Sequence, residues 1–349
     1  MGYPVEFLSI EEIRDIFGTK GITEYSISGR YALISDDTQM TLFTAAGLLQ
    51  GVTRGRIRGV SAPFSMYVFT AYGDWLKTQS ERFPLQNDVI HSWLMNQKRS
   101  FSQRAPGNTC ISALSSGAAG TIENPINDSK GCGGVMRVAP IGLFMRGDRS
   151  YHSDPGLEAA KVAALTHGHE LGYIPAAALS YIIYEIVHKH QDINLAIDAA
   201  MKATMNLFSG STYMDYFMSL VDKAQHLAEK NLDDNEAIES IGAGWVAEEA
   251  LAVAIYCALK YQDDFERAVV AAANHSGDSD STGAITGNIV GAYVGMQGIP
   301  IKFLESLELK KVLLEVAEDL YFDCPVSEFN QKNDRHWVEK YVNFSYMVS

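Results

Sequence analysis

The sequence predicts an all-α protein, and three observations predict it. Apolar residues recur at spacings of three and four along most of the chain, the signature of a helix with one buried face. Those segments are rich in Ala, Leu, Met and Glu, which lose little freedom in a helix. No stretch of six or more residues sustains the period-two alternation that a half-buried strand requires, so a substantial sheet is not expected. Across 349 residues no Pro/Ser-rich linker, charge block or internal repeat divides the chain, and one domain over 1–349 is expected.

In chain order the periodicity predicts helices over 40–50, 64–77, 157–166, 176–189, 194–206, 213–230, 235–241, 246–261, 264–275, 282–296 and 307–320. Segment 246–261 is nearly apolar all round, which predicts a helix in the middle of the fold. Between these, 97–109 and 117–134 hold clusters of Gly, Pro, Asn and Ser and read as loops. Loops on a rigid scaffold are frequent carriers of function.

Composition removes several classes of function. Hydrophobic residues at 47% and charged residues at 20% specify a packed core rather than disorder. A net charge of −14 argues against sequence-independent binding of nucleic acid, which needs a basic footprint. Cys110, Cys132, Cys257 and Cys324 show no CxxC spacing, so neither a thiolate metal site nor a disulfide framework is expected. No basic-then-apolar leader opens the sequence, and apolar runs such as 176–187 fall short of the roughly 18–20 residues that span a bilayer. These features fit a cytoplasmic protein with no membrane and no nucleic-acid partner.

The chemistry concentrates in two acidic clusters. Ser35-Asp36-Asp37-Thr38 precedes one apolar run, and Asp278-Ser279-Asp280-Ser281-Thr282 precedes another. Asp37 or Thr38 can cap the first helix, and a capping loop explains the second equally well. Glycines 283, 287, 291 and 295 leave one bare face on the second helix, against which another element can pack closely. A cap, however, needs only one carboxylate. Four aspartates brought together by the fold require a cation, and hard oxygen ligands suit Mg²⁺ or Mn²⁺ rather than zinc or copper.

Two further segments carry weaker signals. The glycine-rich turn 129–134 lets backbone N–H groups approach an anion, but it lacks the Gly-Lys-Ser/Thr of a Walker A loop. His167 and His169 lie two apart, so they cannot share a helix face as zinc ligands do; a cap or one ligand-contacting imidazole is the expectation.

Five segments in order, SDDTQMTLFTAAGLL, PGNTCISAL, SKGCGGVMRVAPIGL, GWVAEEALAVAIYCAL and NHSGDSDSTGAITGNIVGAYVG, resemble the ADP-ribosylglycohydrolase family over about residues 2–320. The resemblance implies an orthogonal all-α bundle with a binuclear Mg²⁺ or Mn²⁺ centre in a cleft. It implies that Ser35, Asp36 and Asp37 match the first metal-binding cluster, and that Asp278, Asp280 and Ser281 match the second, with Asp280 bridging the metals. Ser129, Gly131, Cys132 and Gly133 match the loop that embraces the diphosphate and distal ribose, and His167 matches a histidine on the cleft wall. Glu6, in GYPVEF, matches the family's N-terminal acid and is expected to orient or deprotonate the attacking water. On this reading Glu6, Asp37 and Asp280 are the catalytic residues.

There are departures. Ser35 and Ser281 stand where Thr is common, and Cys132 stands where many members have Asn. The family carries a helix and a Gly-Asp-Ala-x-Gly element ahead of the glutamate, and this sequence begins at Met1-Gly2.

The implied activity is metal-dependent removal of ADP-ribose from modified protein side chains, arginine favoured, reversing ADP-ribosylation and protecting against ADP-ribosylating toxins. The implied partner is an ADP-ribosylated protein. The alternative is a non-catalytic homologue that binds ADP-ribose or blocks an ADP-ribosyltransferase; retention of all six ligand positions speaks against a purely passive cleft. A generic two-metal phosphohydrolase is a third reading, but it lacks a clear Lys/Arg phosphate clamp despite Arg104, Lys130 and Arg137 nearby.

Overall fold

In the computed structural model, residues 1–86, 89–147, 153–327 and 334–348 are described. Among them the chain forms α1 (Ile10–Phe17), α2 (Asp36–Arg58), α3 (Phe64–Ser80), α4 (Asn108–Ser115), α5 (Ala139–Phe144), α6 (Pro155–Ala164), α7 (Glu170–Lys189) and α8 (Ile193–Leu207). It continues with α9 (Met214–Ala228), α10 (Asp234–Ile241), α11 (Ala247–Lys260), α12 (Phe265–Ala273), α13 (Ser279–Gly298), α14 (Lys302–Glu305), α15 (Lys310–Phe322) and α16 (Arg335–Tyr341). The only strands among the described residues are Ile27–Ser28 and Tyr31–Ala32, paired antiparallel. The all-α expectation holds.

Two helices make the centre. α11 packs on α7, α9, α12 and α13, and its residues Ala250 to Ala258 are all without solvent contact, as its all-round apolarity predicts. α7 packs on α5, α6, α8, α11 and α13. It begins six residues before the predicted start and keeps Pro175 inside. That proline removes one backbone donor near the N-terminus, while the His169 side chain caps the helix by accepting from Leu171 N–H at 3.0 Å. The resulting 20-residue helix is long and apolar enough to cross a membrane, unlike the shorter run read from sequence, but 78% of its apolar window is buried by its neighbours. It is a core helix.

The site is positioned by α2 and α13, whose first turns meet. α2 packs on α3, α5 and α15 and touches α13. Its start is fixed by a buried brace: the Glu308 carboxylate accepts from Ile34 N–H at 3.2 Å and pairs with Arg104 at 3.1 Å, and the Arg104 carbonyl accepts from Asp36 N–H at 3.1 Å. The short 3₁₀ turn Tyr3–Val5 lies against the start of α13. Gly2 permits this, because a Cβ there would sit 1.9 Å from the Ser279 carbonyl oxygen.

Candidate metal centre and active site

Asp36 and Asp37 are the first two residues of α2 and are not its caps, contrary to the expectation for Asp37 or Thr38. Ser35 holds the cap position, and its side chain makes no capping bond. The two carboxylates are therefore free to turn inward. Asp36, Asp37 and Asp280 each present an oxygen within 4.8 Å of the others, and all three are buried. Asp37 Oδ2 has no hydrogen-bond partner. An orphaned, buried carboxylate oxygen facing two further carboxylates fits a hard divalent cation.

The electrostatics agree. Burial, then the Asp280 charge, holds the Asp37 and Asp36 carboxyls well above the usual range, with Gly107 N–H partly offsetting this at Asp36. Burial raises Asp280 to about 6, although the Met1 α-amino group, the Ser35 hydroxyl and Tyr3 N–H all act to lower it. Glu6 is raised to about 8 by burial and then by Asp280, Asp278 and Asp36, and its Oε2 is also unpartnered. Groups that repel one another in a buried site need a counter-charge.

Asp278 is placed differently. It does cap α13, accepting from Ser281 N–H at 2.9 Å, and its other oxygen accepts from the Cys132 thiol at 2.8 Å. It thus joins the second acidic cluster to the glycine turn. Ser281 is buried, with Met136 sulfur 4.0 Å from its hydroxyl.

The turn itself is anchored. Ser129 N–H donates to Asn127 Oδ1 at 3.0 Å and Ser129 Oγ lies 3.3 Å from Thr109 Oγ1. Gly131 N–H faces Ser129 Oγ at 3.4 Å, and Cys132 N–H donates to the Trp245 carbonyl at 3.2 Å. Two N–H groups expected to face an anion are therefore engaged by protein. Lys130 pairs with buried Glu248. Gly133 is the middle residue of a 3₁₀ turn, Cys132–Gly134, beside His167: a Cβ on it would lie 2.9 Å from His167 Cε1 and 3.0 Å from Cys110 Sγ. His167 is 2% exposed, and burial with the Arg137 charge lowers it to about 3, so it is neutral. His169 is the α7 cap described above.

The glycine face of α13 is covered only in part: Gly287 and Gly291 lie beside Val269 and Phe265 of α12. A Cβ at Gly283 or Gly295 would meet nothing within 4 Å, and the helix is broken at Gly295 (φ 66°). Gly283 and Gly287 line a cavity of about 500 Å³ whose apolar walls include Phe265, Phe303, Leu307 and Leu313 and which ends at Ser35, Asp37 and Asp280. Neither the 129–133 turn nor His167 lines it. The carboxylates thus have two faces, one apolar and one toward the turn.

Sequence reasoning missed Glu308, and it noted Arg137 without a role. A charged residue inside the apolar run Val135–Ala139 was the available signal for Arg137.

A helical bundle that gathers unpaired aspartates at the starts of two helices defines a class, that of α-helical proteins equipped to hold divalent cations. This chain belongs to the ADP-ribosylglycohydrolase family, whose sequence profile matches residues 1–328. It is 27% identical over 330 residues to an uncharacterized protein of Archaeoglobus fulgidus, covering 92% of this chain and 91% of that one. It is 26% identical over 203 residues to ADP-ribosylhydrolase ARH3 of Bos taurus, a match spanning about half of each chain (52% and 54%). A 67-residue segment is 37% identical to ADP-ribosylarginine hydrolase Tri1 of Serratia proteamaculans, covering 19% and 18%. Among solved structures, an ADP-ribosylglycohydrolase-related protein complex aligns with a TM-score of 0.50 at 20% identity, over 82% of this chain and 98% of that one. This last likeness is one of fold. At the level of the family, the activity is hydrolysis of ADP-ribosyl linkages.

Proposed function

We propose that this chain hydrolyses the N-glycosidic bond between ADP-ribose and a modified protein side chain, arginine in the first instance. The observation that carries the proposal is the convergence of Asp36, Asp37 and Asp280 within electrostatic reach of Glu6, whose Oε2 is buried and unpartnered. The arginine linkage is supported by the short match to an ADP-ribosylarginine hydrolase, Tri1; reversal of a toxin's modification is the role we propose with it.

Ser35, Asp36, Asp37, Asp278, Asp280 and Ser281 would hold two divalent cations, Mg²⁺ with Mn²⁺ as the alternative. Bound there, such ions supply positive charge for the ribose hydroxyls and acidify water. Glu6 is the group of this chain placed to accept a proton from the attacking water. Its raised pKa suits a base working near neutrality, since burial keeps it basic while the aspartates' charge is offset. Cleavage develops positive charge on the ribose ring. The turn at Ser129, Gly131, Cys132 and Gly133, with His167 behind it, positions the diphosphate and distal ribose. Cys132, bonded to Asp278, ties that positioning to the second acidic cluster.

The test is release of free ADP-ribose from an arginine-ADP-ribosylated protein with Mg²⁺ and then with excess EDTA. Metal-dependent release is expected. Absence of release with Mg²⁺ and with Mn²⁺, while ADP-ribose still binds, would replace this reading by that of a sequestering or transferase-blocking homologue.

A further inference from the structure

Arg137 is fully buried, and among the described residues no carboxylate pairs with it. Its guanidinium lies over the Tyr72 ring at 4.6 Å, and Nη1 faces two sulfurs, Met40 and Cys110, each at 3.4 Å. Nη2 donates to Thr166 Oγ1 at 2.6 Å and to the Val162 carbonyl at 3.4 Å, while Nε has no partner. A buried cation without an acid is costly, and its field acts on whatever lies next to it. What lies next to it is the back of the glycine turn: Thr166 Oγ1 is 2.8 Å from His167 Nδ1, and His167 Nε2 faces the positions where Gly131 and Gly133 have no side chain.

The hydrogen-bond directions follow from donor inventories. A guanidinium only donates, so Thr166 Oγ1 must accept from Arg137. The hydroxyl proton then goes to the best acceptor in reach, the Nδ1 lone pair of a neutral imidazole, in preference to the weakly accepting Cys110 sulfur. Nδ1 is thereby an acceptor and Nε2 carries the proton. We propose that Arg137 and Thr166 are positioning residues that lock His167 in its Nε2–H tautomer and place an unpaired positive charge behind the turn, so that the turn selects an anionic ligand, the diphosphate of ADP-ribose. The ligand part of this inference rests on the proposed function; the tautomer part does not. It also explains how the turn holds an anion although Gly131 and Cys132 N–H are already engaged. The donor it adds is His167 Nε2–H, and the charge it adds is Arg137.

The experiment uses the full chain labelled with ¹⁵N-histidine, without ligand, for the parent, Thr166→Val, Thr166→Ser and Arg137→Lys, followed by titration with ADP-ribose and with uncharged adenosine. Folding of each variant is checked by its thermal melt. In the parent, the His167 nitrogens should resolve as protonated Nε2 and bare Nδ1. Thr166→Val should lose that fixed assignment and bind ADP-ribose about tenfold or more weakly, the scale of one charge-assisted hydrogen bond, with adenosine affinity changed less than about twofold. Thr166→Ser should restore both properties, and Arg137→Lys should fall between. A protonated Nδ1 in the parent, or an unchanged tautomer in Thr166→Val, would overturn the relay even if the protein hydrolyses its substrate. An equal loss of ADP-ribose and adenosine affinity in Thr166→Val would overturn the anion selection. If the parent binds no ADP-ribose, the proposed function fails and takes the anion selection with it, while the tautomer signals still decide the relay.

Discussion

Replacing Asp37 with asparagine should make the metal-free protein more stable and the metal-loaded protein less so. Asp37 is buried, its Oδ2 lacks a partner, and Asp36 and Asp280 present oxygens within 4.8 Å of it. Two full charges at 4.8 Å, the greatest separation in the cluster, repel by about 3.5 kcal/mol in an effective dielectric near 20, and protonation relieves part of this. Asparagine is nearly isosteric and neutral, and its amide N–H₂ can donate to the remaining carboxylates. A net gain of about 2 kcal/mol without metal is therefore expected, or about 2–4 °C in Tm for a chain of 349 residues. With cation at about a hundredfold above its Kd, the parent gains about 2.7 kcal/mol and the variant, short of one ligand, gains little. The two melting curves should exchange order between EDTA and Mg²⁺. The pH dependence has a definite sign. Asp37 has a folded pKa above its unfolded value near 4, so the metal-free parent loses stability as pH rises through and above that value. The gain from Asp37→Asn should thus grow between pH 5 and 8. Differential scanning calorimetry in EDTA and in Mg²⁺ at three pH values is the assay. A variant that melts lower than the parent in EDTA would refute the reasoning, because it would make the Asp37 carboxylate a stabilising hydrogen-bond acceptor rather than a repelled charge.

Other outcomes follow from the same geometry. Glu6→Gln should lower kcat by about 10²–10⁴ and leave ADP-ribose affinity nearly unchanged by calorimetry; unaltered turnover would remove Glu6 from the mechanism. Asp280→Asn should abolish both turnover and the Mg²⁺-induced rise in Tm, and retained full activity would sink the metal assignment. Gly133→Ala should destabilise by about 1–3 kcal/mol and weaken ADP-ribose binding, since the new methyl would lie 2.9 Å from His167 Cε1, yet should keep the Mg²⁺ response. Acid should destabilise through the buried histidines. Burial lowers His275 to about 4, so the stability it contributes is present above its unfolded pKa near 6.5 and lost as pH falls toward 4, on the order of 3 kcal/mol. Substituting His275 with Gln should flatten that acid limb of the melting profile.

What the sequence revealed depended on how local the signal was. α11 was legible because every turn of it is apolar, and both acidic clusters were legible because each is packed into a few residues. α1 was also legible and was overlooked: Ser9 and Glu12 form a reciprocal capping box just ahead of an amphipathic run. The start of α2 was misread because Asp and Thr are favoured caps, whereas here the carboxylates serve the interior and Ser35 merely occupies the cap position. Pro175 hid the first turn of α7, because a proline ordinarily marks a helix boundary. The Glu308 brace was not legible at all, since Arg104 lies 204 residues away from it in sequence. Nor was the Arg137–Thr166–His167 chain, whose members acquire meaning only when α6 and the glycine turn are packed together.

The two faces of the carboxylate cluster differ in what they can admit. The face along α13 is walled mainly by apolar side chains, Phe265, Phe303, Leu307 and Leu313 among them, with Lys310, Asn288 and Thr41 among the polar groups at its lining. The face toward the turn offers Gly133, a neutral His167 and the unpaired Arg137 charge behind it. Cys132, bonded to Asp278, joins that face to the acidic centre at 2.8 Å. A ligand whose phosphates sit in the turn and whose ribose reaches the aspartates spans only this second face. The positive ends of α2 and α13 point at the same carboxylates, but each helix start supplies only about half a charge, against three carboxylates within 4.8 Å. The helices alone cannot balance the site. On the proposed function, divalent cations at the aspartates would supply what the helix starts and the Met1 α-amino group do not, and the charge of Arg137 would serve the turn, so the ligand would be read by two opposite and separately buried charges.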